Sequence, residues 1–322
     1  MIKKLLVVIP AFNEEDKIGE VIQKIPGKIR GISKIHTLVI DDGSTDQTAR
    51  IASDLNAEVI KHHYNMGVGA AFSSGLQYAL DKNFDLMVNI DGDSQFNPKD
   101  IPRLLKPILN DNFDFVTASR FIDKNYIPKM PLAKLWGNKL MSILISKIIS
   151  KRFYDVSCGF RAYSQKALMS LNLQGKFTYT QESFIDLSFK RLKIIEIPIR
   201  VKYFPSRNSK VASNLFKYGI NTLKIITGTF RDYRPLYFFS SIAAFFFIVS
   251  IFFESILLWT YISRGTFSPN IWSGFVGAVF LFIAIIFFIV GLSTDILNRI
   301  RINQENILYL LKRDSQKNKQ DQ

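Results

Sequence analysis

Apolar positions in the first third of the chain fall into short runs separated by polar, helix-spaced stretches. The runs are "LLVVIP" (5–10), "TLVIDD" (37–42), "AEVIKH" (57–62), "DLMVNID" (85–91) and "FDFVTAS" (113–119). Between them, residues Glu14–Ile25 and Asp46–Leu55 repeat their apolar positions at helical spacing. Strands alternating with helices predict an α/β domain with a mostly parallel, Rossmann-like sheet and helices on its faces. Ligands of such sheets bind at the carboxyl ends of the strands. Three polar clusters begin where predicted strands end: "PAFNEE" (10–15), "DDGSTD" (41–46) and "DGDSQ" (91–95). They are expected to converge on one crevice.

The pattern changes towards the C-terminus. Residues 236–262 and 271–292 are nearly free of charge, Glu254 excepted, and each is long enough to cross a hydrocarbon core of about 30 Å. Eight residues, "SRGTFSPN" (263–270), join them, which predicts a transmembrane hairpin with both flanks on one side. Glu254 is costly in lipid and is expected to face the partner helix, an oligomer neighbour or a lipid headgroup. Two further segments, 131–152 and 214–235, carry apolar residues at helical spacing with lysines interspersed, a pattern that suits helices lying in a membrane interface. The expected organisation is a catalytic domain over 1–213, including the amphipathic segment 131–152. An interfacial helix over 214–235, the hairpin over 236–292 and a basic tail over 293–322 follow. The tail from Arg313, "RDSQKNKQDQ", is polar enough to be expected without structure.

Charge sharpens this picture. The chain has a formal net charge of +15, with Lys217, Lys224, Arg231 and Arg234 before the first span and Arg299, Arg301, Lys312 and Arg313 after the second. The connecting loop carries only Arg264. The positive-inside rule therefore places the main domain and the tail in the cytoplasm, beside anionic headgroups. No zinc knuckle, basic zipper or aromatic RNA-binding signature accompanies the basic charge, so nucleic acid is not an expected partner. The single cysteine, Cys158, rules out an internal disulfide.

Against that positive background, Asp91 and Asp93 concentrate negative charge at a strand end. In an extended segment residues i, i+2 and i+4 share a side, so Asp91, Asp93 and Gln95 would present oxygens to one ligand. Oxygen ligands suit Mg²⁺ or Mn²⁺ completed by substrate phosphates. The alternative is an Asx-turn before the helix that begins near Pro98. Asp41 and Asp42 are adjacent, a pair that a nucleoside's base and ribose would explain, while Ser44 or Thr45 is expected to cap the next helix. "NMGVGAAFSSG" (65–75) starts a helix with Gly67 and Gly69, which are expected to allow close helix–sheet packing, since the Lys-Ser/Thr of a phosphate loop is missing.

Taken in order, "PAFNEE", "DDGSTD", "NMGVGAA", "DGDSQ", "ASRF", "SCGFRAY" and the two spans resemble the polyprenyl-phosphate glycosyltransferases, GT-A-fold enzymes of glycosyltransferase family 2 that include dolichyl-phosphate mannose synthases. The resemblance implies a membrane enzyme that moves a hexose, with inversion, from a GDP-mannose, UDP-glucose or UDP-GlcNAc type donor to a dolichyl or undecaprenyl phosphate. It implies a donor site of Pro10, Phe12, Glu14, Ile40, Asp42, Asp91, Gly92 and Asp93, and a divalent metal on Asp91 and Asp93 with Gln95 added. It also implies a phosphate-contacting Arg120. On the acceptor side the family's Arg and Ser are replaced by Lys134 and Asn138. "SRNSK" (206–210) lacks the family's glycine, so Arg207 and Lys210 match its Arg and Lys less closely. Asp93, Arg120 and Arg207 would be the catalytic set. Arg161 stays open between acceptor and structural roles, as does Glu182 between base and salt bridge. A homo-oligomer is compatible with the pattern. Two other readings are a polysaccharide synthase of the same fold, whose Q-x-x-R-W is absent here, and a non-catalytic membrane scaffold, which intact Asp91, Asp93 and Arg120 argue against.

Overall fold

The computed structural model describes residues 3–128, 130, 132–173, 179–202, 223, 227–228 and 230–320. It separates into two compact units, residues 1–225 with 309–322, and residues 226–308.

The first unit is built on a seven-stranded sheet. Its strands are β1 (Lys3–Ala11), β2 (Ile32–Asp41), β3 (Glu58–Lys61), β4 (Leu86–Asn89), β5 (Phe115–Ser119), β6 (Arg161–Ser164) and β7 (Ile194–Pro198), in the order β3-β2-β1-β4-β6-β5-β7. β6 alone runs antiparallel, wedged between β4 and β5. β1 lies at the centre of the parallel half, and Leu5–Ile9 are fully buried. That explains its unbroken apolar run, since a strand covered on both faces has no side for alternating polar residues. The five predicted strands all form. β6 and β7 lie in "FRAYS" and "IIEIP", stretches that carry an arginine and a glutamate and read less clearly as strands.

Helices α1 (Glu15–Gln23), α2 (Thr48–Asp54), α3 (Val68–Asp81) and α4 (Ile101–Asn110) follow the first four strands. α4 buries Ile101, Leu104, Leu105 and Ile108, the i, i+3, i+4, i+7 face of an amphipathic helix. α3 approaches the sheet at Gly75, where a Cβ would stand 2.6 Å from a methyl carbon of Val8. The close approach is thus made at Gly75, about two turns beyond the expected Gly67 and Gly69. Farther along come α5 (Leu132–Ile149), α6 (Gln165–Ser170) and α7 (Tyr179–Phe189). α5 turns Ser142 and Ile145 inward, yet Trp136, Leu140 and Ile143 are 66%, 58% and 46% exposed. Its apolar stripe thus faces outward, unlike that of α4.

The second unit contains α8 (Pro235–Arg264) and the start of α9 (Ile271–Gln320). Both helices are long and apolar enough to cross a membrane by length and composition. Ser250 donates a hydrogen bond of 2.8 Å to the Gly277 carbonyl, and a Cβ on Gly277 would sit 2.7 Å from Glu254 Oε1. Of the three expected surroundings for Glu254, the partner helix is the one it packs against. α9 corrects the expectation of an unstructured tail, because it stays helical to Gln320. No glycine or proline interrupts residues 292–320, so nothing stops the helix once it has left the apolar span. Within its last turns Lys312 Nζ lies 3.4 Å from the carbonyls of Met169 and Leu171, at the C-terminal end of α6. The segments holding Arg207, Lys210 and most of the 214–235 helix lie outside the described residues.

Replacing Gly75 with Ala should lower the unfolding free energy of the purified chain by about 1–3 kcal/mol, the usual cost of overpacking. Val8→Ala in the same chain should return part of that loss, as measured by denaturant unfolding.

Candidate active site

Two of the three polar clusters are laced together by reciprocal hydrogen bonds. The Asn13 amide donates to Ser44 Oγ (2.9 Å), the Glu14 amide to Thr48 Oγ1 (2.8 Å) and the Thr45 amide back to Asn13 Oδ1 (2.9 Å). The Gln47 amide donates to Glu15 Oε2 at 3.0 Å. Asn13 itself adopts φ +52, a left-handed conformation that asparagine tolerates. Ser44 and Thr45 therefore do not cap α2, which starts later. Asp46 makes the local turn instead, accepting from the Thr48 amide.

The adjacent aspartates divide their tasks. Asp42 Oδ1 accepts from the Met66 amide (2.9 Å) and meets His62 Nδ1 at 2.7 Å, while Oδ2 accepts from the Gly67 amide (2.8 Å). Both oxygens thus bind the loop that enters α3. Gly43, at φ +78, lets that loop pass so close that a Cβ would stand 2.6 Å from the Tyr64 carbonyl carbon. Asp41 Oδ1 accepts from the Ser44 amide (2.9 Å), but its buried Oδ2 has no hydrogen-bond partner, with Lys61 Nζ at 3.7 Å. Pro10 and Ile40 stand beside each other in the paired ends of β1 and β2.

The third cluster closes on the first. The Gly92 amide reaches the Pro10 carbonyl at 3.4 Å, and a Cβ on Gly92 would contact Ile18 and Ala11. Burial and the neighbouring Asp93 charge push the Asp91 carboxyl up to about 7; Glu14 raises it further, and Arg120 and Arg161 oppose the rise. Gly159 leaves room for Asp91, since a Cβ there would stand 2.7 Å from its carboxylate. Contrary to expectation, the 91–95 segment is not extended. Ser94 adopts φ +59, and Asp93 Oδ1 accepts from the Gln95 amide (3.0 Å), an Asx-turn. Strand alternation therefore does not bring Gln95 to the side of Asp91 and Asp93; Gln95 lines a neighbouring cavity. Among the described residues no three His, Cys, Asp or Glu side chains form a metal-binding group. Two neighbouring carboxylates, one held at a raised pKa by burial and by the other's charge, still fit a hard divalent cation that takes its remaining ligands from phosphate and water.

Arg120 follows β5 and grips Asp155 through Nε (2.6 Å) and Nη2 (2.8 Å), while its amide donates to the same carboxylate at 3.1 Å. Despite burial, which opposes the charge, the Asp155 carboxylate raises the guanidinium pKa, as Asp91 does more weakly. Asp155 is set in turn by Glu196 on β7, which accepts the amides of Tyr154 (2.8 Å) and Asp155 (2.7 Å). Arg161 is fully buried. It donates to the carbonyls of Cys158 (2.6 Å), Val156 (3.0 Å) and Thr180 (2.8 Å) and to Ser183 Oγ (2.7 Å), beneath the rings of Phe115, Tyr179 and Phe184. Of the two roles left open for Arg161, these contacts favour the structural one. Lys134 and Asn138 lie half-buried on α5, and Glu182 lies half-buried in the first turn of α7.

Sequence reasoning did not single out Asp155, Glu196, Gly159 or Asn89. Asn89 donates to the Gly159 carbonyl (3.0 Å) and the Tyr179 hydroxyl (2.8 Å), tying β4 to α7. Each acts on a partner 35 or more residues away in sequence, and the clearest available signal was the buried polar residue in "LMVN".

A mostly parallel sheet with two aspartates at its acidic carboxyl edge and an arginine beside them has the architecture of a GT-A-type glycosyltransferase. Residues 6–171, a little over half of the chain, match the family described as Glycosyl transferase family 2, and the chain belongs to that family. It is 34% identical, over 66% of its length and 90% of the relative's, to an uncharacterised protein of Methanocaldococcus jannaschii. It is 30% identical to the UDP-N-acetylglucosamine–dolichyl-phosphate N-acetylglucosaminyltransferase of Methanococcus voltae, over 62% of this chain and 86% of that one. It is 24% identical to the polyprenol monophosphomannose synthase of Mycolicibacterium smegmatis, over 61% and 77%. Among solved structures it resembles glucosyl-3-phosphoglycerate synthase of Mycobacterium tuberculosis in complex with Mn²⁺, UDP and glucosyl-3-phosphoglycerate. The TM-score is 0.55 at 23% identity, covering 72% of this chain and 80% of that one, which supports the shared fold.

Glu196 generates a pH prediction. Burial raises its carboxyl from 4.5 to about 7 against the two amide hydrogen bonds. The fold keeps a proton there that the unfolded chain releases, so this group's contribution to stability is complete below pH 4.5 and is lost as pH rises to about 7. Glu196→Gln should flatten that part of the stability–pH profile measured by denaturant unfolding; an unchanged slope would assign it to another group.

Proposed function

We propose that this chain is a membrane-bound, inverting glycosyltransferase that moves a hexose from a nucleotide sugar to a polyprenyl phosphate. The observation that carries the reading is the meeting of Glu14, Asp91, Asp93 and Arg120 at the carboxyl edge of the sheet. The outward apolar stripe of α5 and the two long apolar helices support a lipid acceptor. So do the names of the M. voltae and M. smegmatis relatives.

Pro10, Phe12, Glu14, Ile40 and Gly92 would border the nucleotide. Asp41, with its unpartnered buried oxygen, would meet a donor N–H of the base, and Asp42 would hold the loop around it. Asp91 and Asp93 would hold a Mg²⁺ or Mn²⁺ ion, which when bound neutralises charge on the donor diphosphate. A lipid phosphate has a second pKa near 6 and is largely dianionic at neutral pH. Its oxygen therefore forms the new bond to the anomeric carbon without losing a proton, while the bond from that carbon to the nucleoside diphosphate breaks and the diphosphate leaves. What the reaction needs is cationic shielding between two anions. Arg120, fixed by Asp155, would supply it on the donor side; Lys134, Arg207 and Lys210 would supply it on the acceptor side, where the neutral Asn138 would add a hydrogen bond. The basic flanks of the hairpin favour a cytoplasmic catalytic unit and C-terminus.

The test is transfer from a panel of UDP- and GDP-sugars to polyprenyl phosphate in proteoliposomes with Mn²⁺, the M. voltae relative making UDP-N-acetylglucosamine the first arm. One glycolipid product per donor consumed is expected, with inverted configuration. Asp93→Asn should cut the rate by at least about a hundredfold while leaving the thermal unfolding profile intact, because it removes charge and not packing. Polymer in place of glycolipid, or full turnover by Asp93→Asn, would overturn the reading.

A further inference from the structure

On the outer side of the Asp93 turn lies a cavity of about 540 Å³ that the donor and acceptor sites above do not use; Glu14, Asp91, Asp93 and Arg120 are not part of its wall. Its volume is that of a small-molecule site. Val21, Phe96 and Val201 give it an apolar floor, and five cations against two carboxylates line the rest. Two of those cations are already neutralised. Lys24 pairs with Glu20, and Arg103 pairs with Asp100 at 3.0 Å while donating to the Pro198 carbonyl. Lys99, Arg200 and Lys202 have no carboxylate partner among the described residues, so three positive charges face one cavity without compensation. The Arg200 guanidinium stacks 4.9 Å from the centre of the Tyr126 ring, which orients its donor fork. The Lys202 amide is held by the Gln95 carbonyl at 2.9 Å, which places its side chain at the rim.

We propose that this cavity is a binding site for a phosphate-bearing ligand, with room beside the phosphate for a glycerol- or sugar-sized group. A phosphate monoester brings a charge of about −1.5 to −2 and three strong acceptor oxygens, which matches a planar guanidinium flanked by two ammonium groups better than a single carboxylate would. The apolar floor suits the carbon part of such a ligand. The same chemistry has two sources, the headgroup of an anionic membrane lipid or a free phosphate compound. Tyr126 belongs to the segment that leads into α5, where Ile122 and Ile127 are exposed alongside the outward stripe of Trp136, Leu140 and Ile143. That surface brings the lipid source within consideration. Binding here requires neither nucleotide sugar nor polyprenyl phosphate, so it stands or falls separately from transfer.

The test uses the full chain in phosphatidylcholine nanodiscs and follows hydrogen–deuterium exchange in residues 94–103 and 199–202. Inorganic phosphate is titrated against chloride at matched ionic strength, and in a second arm phosphatidylglycerol replaces part of the phosphatidylcholine. Protection of both segments is expected in at least one arm. The double substitution Arg200→Gln, Lys202→Gln should raise the half-saturating concentration about tenfold or more, the scale of losing charged hydrogen bonds. Its thermal unfolding should be unchanged, because both residues are exposed. Protection by inorganic phosphate assigns a free ligand; protection by phosphatidylglycerol alone assigns a lipid headgroup. No protection in either arm, equal protection by chloride, or an unaltered half-saturation in the double variant would each overturn the proposal.

Discussion

Like charges crowded at one edge of a sheet set the terms for this molecule. β4 and the C-terminal parts of β1 and β2 are buried, so the polar residues that follow them have only the carboxyl edge at which to emerge. Glu14, Asp41, Asp91 and Asp93 all do so, and burial, with repulsion from Asp93 and Glu14 added to it, raises the pKa of Asp91. Positive charge must answer it from somewhere. Arg120 does so from β5, but a guanidinium beside several carboxylates would settle on whichever is nearest unless something held it. Asp155 holds it through two side-chain hydrogen bonds, and Glu196 holds the Asp155 backbone. The edge strand β7 thereby fixes the position of a cation that acts on Asp91, through one relay of hydrogen bonds.

Arg161 shows the opposite solution to a buried cation. Its guanidinium is surrounded by carbonyls, a hydroxyl and three aromatic rings, with no carboxylate in hydrogen-bond contact among the described residues. A planar donor fork can satisfy several backbone acceptors at once, which a lysine could not do. The result pins the loop carrying Cys158 and Gly159 to the start of α7. Gly159 then leaves the space that Asp91 occupies. A residue without direct access to the crevice thus controls the room available to one that has it.

Each unit also presents apolar surface that water would not tolerate. In the first it is the stripe on α5; in the second it is most of two helices, with Phe245, Phe282 and Trp259 among the exposed side chains. Exposed apolar area on this scale marks a surface with a partner. For the hairpin, the close contacts at Gly274 and Gly277 show why glycines occur in otherwise bulky helices: they receive Leu257 and Glu254.

Much of this was legible in one dimension. Continuous apolar runs announced a buried parallel sheet, because burial on both faces removes alternation. The place of each polar cluster followed from the strand before it. Long uncharged stretches specified two helices able to span a bilayer, since length and hydropathy are properties of local sequence. What only the tertiary structure decided was which polar atom meets which. Asp41 and Asp42 are neighbours of identical type, yet Asp42 is saturated by the loop entering α3 while Asp41 keeps a buried oxygen without a hydrogen-bond partner. The Asx-turn at Asp93 replaced the extended backbone on which strand alternation would have aligned Gln95 with Asp91 and Asp93. Asp155 and Glu196 became visible only when β5, β7 and the loop between α5 and β6 came together. Hydrogen bonds select partners by distances of a few tenths of an ångström, and that information exists only once residues far apart in the chain share one crevice.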